Sequence, residues 1–411
     1  MKIFNRKLKI TSSALLTLCM VFVMTACAEN SSQSEKSQPA EQTTVQPTTM
    51  SAEEINDRKL DKFISDMTLE EKVGQMFFVR CPDEDAVKQV SEYNIGGYIL
   101  FGRDFDGKTK DEVVDDIHSY QNEADIPLLI GVDEEGGTVV RVSSNPNLRE
   151  TPFLSPKDTY ADGGWDAVKQ DAEEKADLLL SLGINVNLAP VCDMTSDEYG
   201  FMYDRSFSSD VDMENRYVRT VVETSKSKKL GTVLKHFPGY GNNSDTHTGI
   251  AYDDRDYSEF ENTDFKPFYQ GIESGADCIL VSHNIVNCMD SEYPASLSQK
   301  VHDILRNEFK FDGVIMTDDL IMDAITDFTG DEAAAVTAAK CGNDLLCCSS
   351  VDTQYPTVLE AVQNGEISEA QVDASVKRIL KWKQNLGIFN IDTYQKKVKS
   401  TEPTDTVGSE K

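Results

Sequence analysis

From Met76 onward the chain repeats one alternation that few folds can accommodate. Short apolar runs recur at MFFV (76–79), GGYILF (96–101), PLLIGVD (127–133), INVNLAPV (184–191), VLKHF (233–237), CILVSH (278–283), GVIMTDD (313–319) and DLLCC (344–348). Between them lie amphipathic stretches of helical period: DEVVDDIHSYQNEA (111–124), DAVKQDAEEKADLLLSLG (166–183), MENRYVRTVVETSKSKKLG (213–231) and KVHDILRNEF (300–309). Strands that are apolar on both faces and alternate with helices imply a parallel sheet covered by helices. Eight of them predict an α/β fold, a (β/α)8 TIM-type barrel forming a single catalytic domain. A doubly wound open sheet is the rival, but no Gly-x-Gly-x-x-Gly turn follows the first strand. Ahead of the first run, Thr68 and Glu71 have the spacing of a capping box that opens a helix.

The first 26 residues are a different object. Lys2, Arg6, Lys7 and Lys9 precede an apolar run from Leu15 to Met24, too short to span a bilayer comfortably and better suited to a secretory signal. Met24-Thr25-Ala26-Cys27 is similar to a bacterial lipobox, in which Cys27 is acylated and becomes the mature N-terminus. Residues 28–52 are rich in Ser, Gln, Thr and Pro and read as an unfolded tether. The expected organisation is a lipoprotein signal peptide (1–26), a tether starting at Cys27 (27–52), the barrel (53–392) and a disordered polar tail (393–411). Export, anchoring to the cell membrane by lipid and exposure on the extracellular side follow from that reading. A net charge of −31 opposes both nucleic acid and anionic lipid, so any membrane attachment rests on the acyl chain rather than on charge. After Cys19 and Cys27, seven cysteines remain, an odd number without zinc-type pairing. Cys278, Cys347 and Cys348 fall in apolar runs and are expected to behave as small buried hydrophobes; one disulfide is compatible with export, with no assignable pairing.

Active sites of barrels lie at the C-terminal ends of the strands. Here the apolar runs end in Asp133, in Lys235-His236, in His283 and in Asp318-Asp319. A charge at the end of a buried strand is costly unless paired or functional, and four convergent cases point to a site. After Lys235-His236 comes a Pro-Gly-x-Gly-Asn-Asn loop carrying Asp245 and His247 two residues apart. A carboxylate beside an imidazole can set its tautomer and suits it to acid/base work near neutral pH; a polar surface loop with an Asx turn is the bland alternative.

Thr68-Leu-Glu-Glu-Lys-Val-Gly-Gln-Met, Val132-Asp-Glu-Glu-Gly-Gly, Asn187-Leu-Ala-Pro-Val-Cys-Asp, Arg205-Ser-Phe, Lys235-His-Phe-Pro-Gly with Asp245-Thr-His, and Phe311-Asp-Gly-Val-Ile-Met-Thr-Asp-Asp appear in this order. Together they resemble glycoside hydrolase family 3, and the Asp-x-His loop resembles its single-domain β-N-acetylhexosaminidase (NagZ-like) branch. The resemblance covers residues 60 to about 390.

It implies an exo-acting retaining hydrolase of terminal N-acetylglucosamine, with Asp318 as nucleophile, His247 as acid/base and Asp245 as its partner. It also implies that Asp133, Arg141, Arg205, Lys235 and His236 hold the sugar. Such an enzyme needs an ionised carboxylate and a group that gives and then takes a proton, and the imidazole pKa of about 6.5 is already near working pH. Two-domain members take a Glu acid from a domain after the barrel; here about two dozen residues follow Phe389, so the acid is expected from the barrel loop. Asp319 is expected to be structural, capping the next helix, and His283 to form pocket wall. Glu134-Glu135 stands where many relatives have a single acid and adds negative charge near the site. Tyr240 stands where relatives often have His. The partners implied are an N-acetylglucosaminide from cell-wall or chitin-derived glycans, with peptidoglycan turnover as the setting, and the membrane through lipid. No metal, organic cofactor or obligate protein partner is implied. A phosphorylase of the same fold and, more remotely, a non-catalytic two-lobed sugar-binding lipoprotein are the alternatives.

Overall fold

A computed structural model describes residues 50–243, 249–329 and 331–396. Cys27, the rest of residues 1–49, and the loop residues Asp245 and His247 lie outside the described residues. Eight parallel strands form the barrel: β1 (Phe77–Arg80), β2 (Gly97–Leu100), β3 (Leu129–Val132), β4 (Val186–Asn187), β5 (Gly231–Phe237), β6 (Cys278–Val281), β7 (Val314–Thr317) and β8 (Leu346–Cys348). Neighbours in sequence are neighbours in the sheet, and β8 returns to pair with β1 through Phe77↔Leu346, Phe78↔Cys347 and Val79↔Cys348. The ring closes between β7 and β8 by a bridge, Met316↔Leu345, with Leu345 N–H donating to Ile315 O at 3.1 Å. All eight expected runs thus carry a strand.

Side chains of a strand alternate between faces, and the packing follows that rule around the ring. Phe78, Ile99, Leu129, Val233, Leu280, Met316 and Cys347 fill the interior, while Phe77, Tyr98, Ile130, Leu234, Ile279 and Ile315 pack outward against the helices. Gly131 faces inward, where a Cβ would come within 2.6 Å of the Phe78 ring, so the aromatic in the first strand requires a glycine in the third. Six of the seven described cysteines are buried, and all seven are free thiols.

Helices cover the outside. Thr68 caps the helix Leu69–Gln75 with the expected Glu71 box, and the amphipathic stretches become Lys110–Glu123, Pro156–Ser181, Val211–Lys228 and Gln299–Asp303, the last continuing as a π-helical turn. A further helix, Glu369–Asn385, does something the periodicity does not announce: it closes the N-terminal end of the barrel. Ile379, Trp382 and Leu386 join the interior cluster, Trp382 lies against Gly231 at the start of β5, and Asn385 donates to Asp277 just before β6. The packed chain also runs past residue 392, since Tyr394 meets Phe63 edge-on at 5.0 Å and lies 5.6 Å from Phe389. Tyr394 thus belongs to the packed chain, filling an aromatic niche between Phe63 and Phe389.

Lys383 on that closing helix is fully buried, with Gln75 Oε1 at 2.7 Å. Burial pulls its ammonium down to about 7. The unfolded chain then binds one more proton than the folded chain between about pH 7 and 10.5, so this group makes stability rise with pH in that window and not below it. Lys383→Met is expected to raise stability at pH 7 and flatten that rise, measured by denaturant unfolding across pH. Trp382→Ala is expected to cost about 3–5 kcal/mol in the same assay.

Candidate active site

The C-terminal mouth of the barrel opens into a cavity of about 640 Å³. Asp133, Arg141, Arg205, Lys235, His236 and Asp318, contributed from β3, the loops after β3 and β4, β5 and the end of β7, all line it. Lys235 and His236 are consecutive in a strand and should face opposite sides. The register of β5 against β6 shifts between Leu234 and Phe237, and this bulge-like irregularity lets both reach the mouth.

The centre of the wall is a buried charge cluster. Lys235 Nζ lies 2.6 Å from Asp133 Oδ1 and 2.6 Å from Glu135 Oε1. Arg205 grips Glu135 with two of its three guanidinium nitrogens, Nε at 3.0 Å and Nη2 at 2.8 Å. Burial works against the charge of Glu135, but Lys235 and Arg205 overcome it and hold the carboxyl well below its usual range. Burial likewise opposes the Lys235 ammonium, and Asp133 and Glu135 raise it nonetheless. Glu135 and Lys235 thus favour each other's charged form.

His236 is fixed from behind. Its Nδ1 is 2.7 Å from Asp193 Oδ2, which also accepts the His236 backbone N–H at 3.0 Å, while Tyr240 N–H donates to Asp193 Oδ1 at 2.7 Å. Arg205 Nη2 approaches His236 Nε2 at 3.2 Å. A guanidinium only donates, so Nε2 presents its lone pair to Arg205 and Nδ1 carries the proton toward Asp193. Tyr240 stands edge-on to the imidazole, ring centroids 5.3 Å apart.

Asp318 comes directly after β7, its Oδ1 accepting the Asp319 N–H at 2.9 Å. Asp319 closes a turn rather than capping a helix, for its Oδ1 accepts from Ile321 N–H and its Oδ2 from Ser349 Oγ. Burial raises the Asp319 carboxyl above the usual range. His283 is not pocket wall: it is fully buried, 2.7 Å from Ser296 Oγ and 3.0 Å from the Asp319 carbonyl, and supports Asp319 from beneath. Glu134 does not add charge to the cavity either. Its carboxylate accepts the N–H groups of Arg141 and Val142 and the hydroxyl of Ser143, folding the loop that carries Arg141. The flanks of the segment 244–248 are tied together by Arg255, which bonds Gly239 O on one side and Asp253 and Asp264 on the other. Among the described residues no group of three or more His, Cys, Asp or Glu could hold a metal ion.

The family model of the glycosyl hydrolase family 3 N terminal domain matches residues 68–382. A beta-hexosaminidase of Hydrogenovibrio crunogenus is 31% identical over 286 residues, 68% of this chain and 79% of that protein. The chain belongs to glycoside hydrolase family 3. Among solved structures of this family, a beta-N-acetylglucosaminidase from Paenibacillus sp. is 29% identical, with a TM-score of 0.74 over 84% of this chain and 66% of that one. A family 3 glycosyl hydrolase from Mycobacterium smegmatis is 26% identical, with a TM-score of 0.71 over 78% of this chain and 98% of its own.

Within this family 3 cavity, sequence reading placed Glu135 near the site without its pairing, and missed Asp193 and Arg80. Glu135 neutralises the two cations, Asp193 holds His236, and Arg80 lines the wall from the end of β1. Arg80 carried the same signal as the others, a charge at the end of an apolar run, one residue beyond MFFV. Asp193→Asn is expected to lower kcat/KM by about tenfold or more, because one buried imidazole or backbone N–H loses a charged acceptor. A pH–rate profile displaced along the pH axis, with the circular dichroism spectrum unchanged, is the result that separates positioning from folding.

Proposed function

We propose that this chain is a retaining exo-β-N-acetylhexosaminidase that releases terminal N-acetylglucosamine from cell-wall or chitin-derived glycans. The observation that carries this reading is that six side chains matching the family's motifs line one cavity together, with Asp318 beside the sugar-holding set. The similarity to relatives called beta-hexosaminidases and to a solved beta-N-acetylglucosaminidase supports the sugar.

In this mechanism an Asp318 carboxylate oxygen attacks the anomeric carbon while His247 gives its proton to the departing glycosidic oxygen. A glycosyl-enzyme ester and a free aglycone alcohol result. Water then attacks the same carbon, His247 takes its proton, and the Asp318 carboxylate leaves with its electron pair. Asp245 orients His247. Lys235 and Arg205, pre-set by Asp133 and Glu135, need no rearrangement when sugar hydroxyls arrive, which is the economy of a preorganised site. The N-terminal reading supports residues 1–26 as export signal and Cys27 as the acylated end of a tether, placing the barrel outside the cell at the membrane surface, in peptidoglycan turnover.

Release of p-nitrophenol from its β-N-acetylglucosaminide, little from the β-glucoside, and indifference to phosphate is the expected outcome; a phosphate-dependent sugar 1-phosphate would make the chain a phosphorylase. Asp318→Asn should cut kcat by at least about a thousandfold with the fold intact, and near-normal activity would contradict its role. His247→Ala should hurt oligosaccharides more than activated aryl glycosides, since poor leaving groups need the proton; equal losses would make His247 a binding group.

A further inference from the structure

Residues 244–248, with Asp245 and His247 among them, are preceded and followed by anchored stretches of chain. Before them, Tyr240 N–H donates to Asp193 Oδ1 at 2.7 Å, and Thr195 Oγ1 donates to Asn242 Oδ1 at 2.7 Å. After them, Tyr252 and Asp253 pair with Ile285 and Val286 in a short parallel ladder, and Ala251 O accepts the Ile285 N–H at 2.9 Å. The two stretches are joined to each other through Arg255.

Every guanidinium nitrogen of Arg255 is engaged in this junction. Nη1 lies 3.1 and 2.9 Å from the two carboxylate oxygens of Asp264, and Nε 3.1 and 3.0 Å from those of Asp253. Nη2 donates to Asp253 Oδ2 at 2.7 Å and to Gly239 O at 3.2 Å. Asn243 Nδ2 donates to the same Asp253 oxygen at 2.7 Å. The rigid fork of the guanidinium is thus turned wholly on the protein. The backbone is shaped to admit it: Gly239 and Gly241 have φ of +120° and +54°, and a Cβ would come 2.3 Å from Asp264 Oδ1 at the first and 2.7 Å from Arg255 Cζ at the second. The Pro-Gly-x-Gly sequence is what an ion pair lying against the chain requires. Asp253 and Asp264 are buried, and replacing buried ion pairs by packed apolar groups is often neutral or stabilising, so stability alone does not call for them. Proton transfer does, because the donor must stand within hydrogen-bond reach of the atom it serves, and a misplacement of about 1 Å can cost about a hundredfold in rate.

We propose that Arg255 is a positioning residue for the proton-transfer step: it fixes residues 239–243 relative to residues 251–253, and so the place from which His247 serves the glycosidic oxygen. The proposal rests on the acid/base reading of His247, and its test separates the two. The purified protein is assayed for kcat/KM, which covers the steps up to the glycosyl-enzyme, on two substrates. N,N′-diacetylchitobiose has a leaving group that needs the proton; the dinitrophenyl N-acetylglucosaminide has one that does not. Arg255→Lys keeps the charge but cannot span three acceptors. It is expected to lose about tenfold to a hundredfold on chitobiose and less than about twofold on the aryl glycoside. Asn243→Ala, a milder change at a half-buried side chain, is expected to show the same pattern with a smaller loss, and stands even if Arg255→Lys fails to fold. In the His247→Ala background, Arg255→Lys should add less than about twofold on chitobiose, because a residue that acts through the imidazole then has nothing left to remove.

Equal losses on the two substrates in a folded Arg255→Lys, or no loss at all, overturn the proposal while leaving the glycosidase reading intact; where that variant does not fold, the same outcomes in Asn243→Ala overturn it. So do losses that simply add in the double variant, since Arg255 would then act on the fold and not through His247. Equal losses on both substrates in His247→Ala itself contradict the acid/base reading and the proposal with it. No cleavage of either substrate by the wild type contradicts the glycosidase reading.

Discussion

Lys235 lies 3% exposed, 2.6 Å from two carboxylates that β3 and its loop present from across the barrel mouth. With Arg205 added, two cations and two anions share one desolvated cluster. Such clusters seldom raise stability, since desolvating four ions costs about as much as their attraction returns. Their contribution is position. No member can move without leaving another unpaired, so the charged groups that line the cavity are held in place. His236 joins the arrangement from both sides, by Arg205 in front and Asp193 behind.

Stability comes from elsewhere in the same strands. The inward faces of all eight strands build an apolar interior that ends below the charge cluster, and Trp382 and Ile379 seal its far end. Inside, Gly131 makes room for Phe78. The two ends of the barrel thereby divide the work: one carries charge and chemistry, the other carries packing and the buried Lys383. Substitutions at the sealed end should register in unfolding experiments and those at the mouth in kinetics.

Much of this was legible because both periodicities were strong. Eight runs apolar on both faces allow few alternatives to a helix-covered parallel barrel, and each run does hold a strand. Asp133, Lys235, His236 and Asp318 stood out because ionisable groups are unexpected at the ends of buried strands. Three-dimensional pairing could not be read. Nothing in the sequence says that Glu134 turns away to bind the backbone of residues 141–143 while its neighbour Glu135 turns toward two cations. Nor does it say that His283, placed like its companions at a strand end, sits beneath the floor rather than in the wall. The helix Glu369–Asn385 looks like any amphipathic helix until Trp382 is seen to face the barrel interior. Arg80 was missed for a smaller reason, an apolar run read one residue short.

The central claim is that the Asp318 carboxylate forms a covalent bond to the sugar. Incubation with a fluorinated N-acetylglucosaminyl fluoride, which forms the glycosyl-enzyme faster than water removes it, tests this directly when coupled to peptide mass mapping. The account predicts one added sugar per chain, on the peptide containing Asp318, and none in Asp318→Asn. A label on another carboxylate, or turnover of the fluoride with no covalent species at any time, would contradict it.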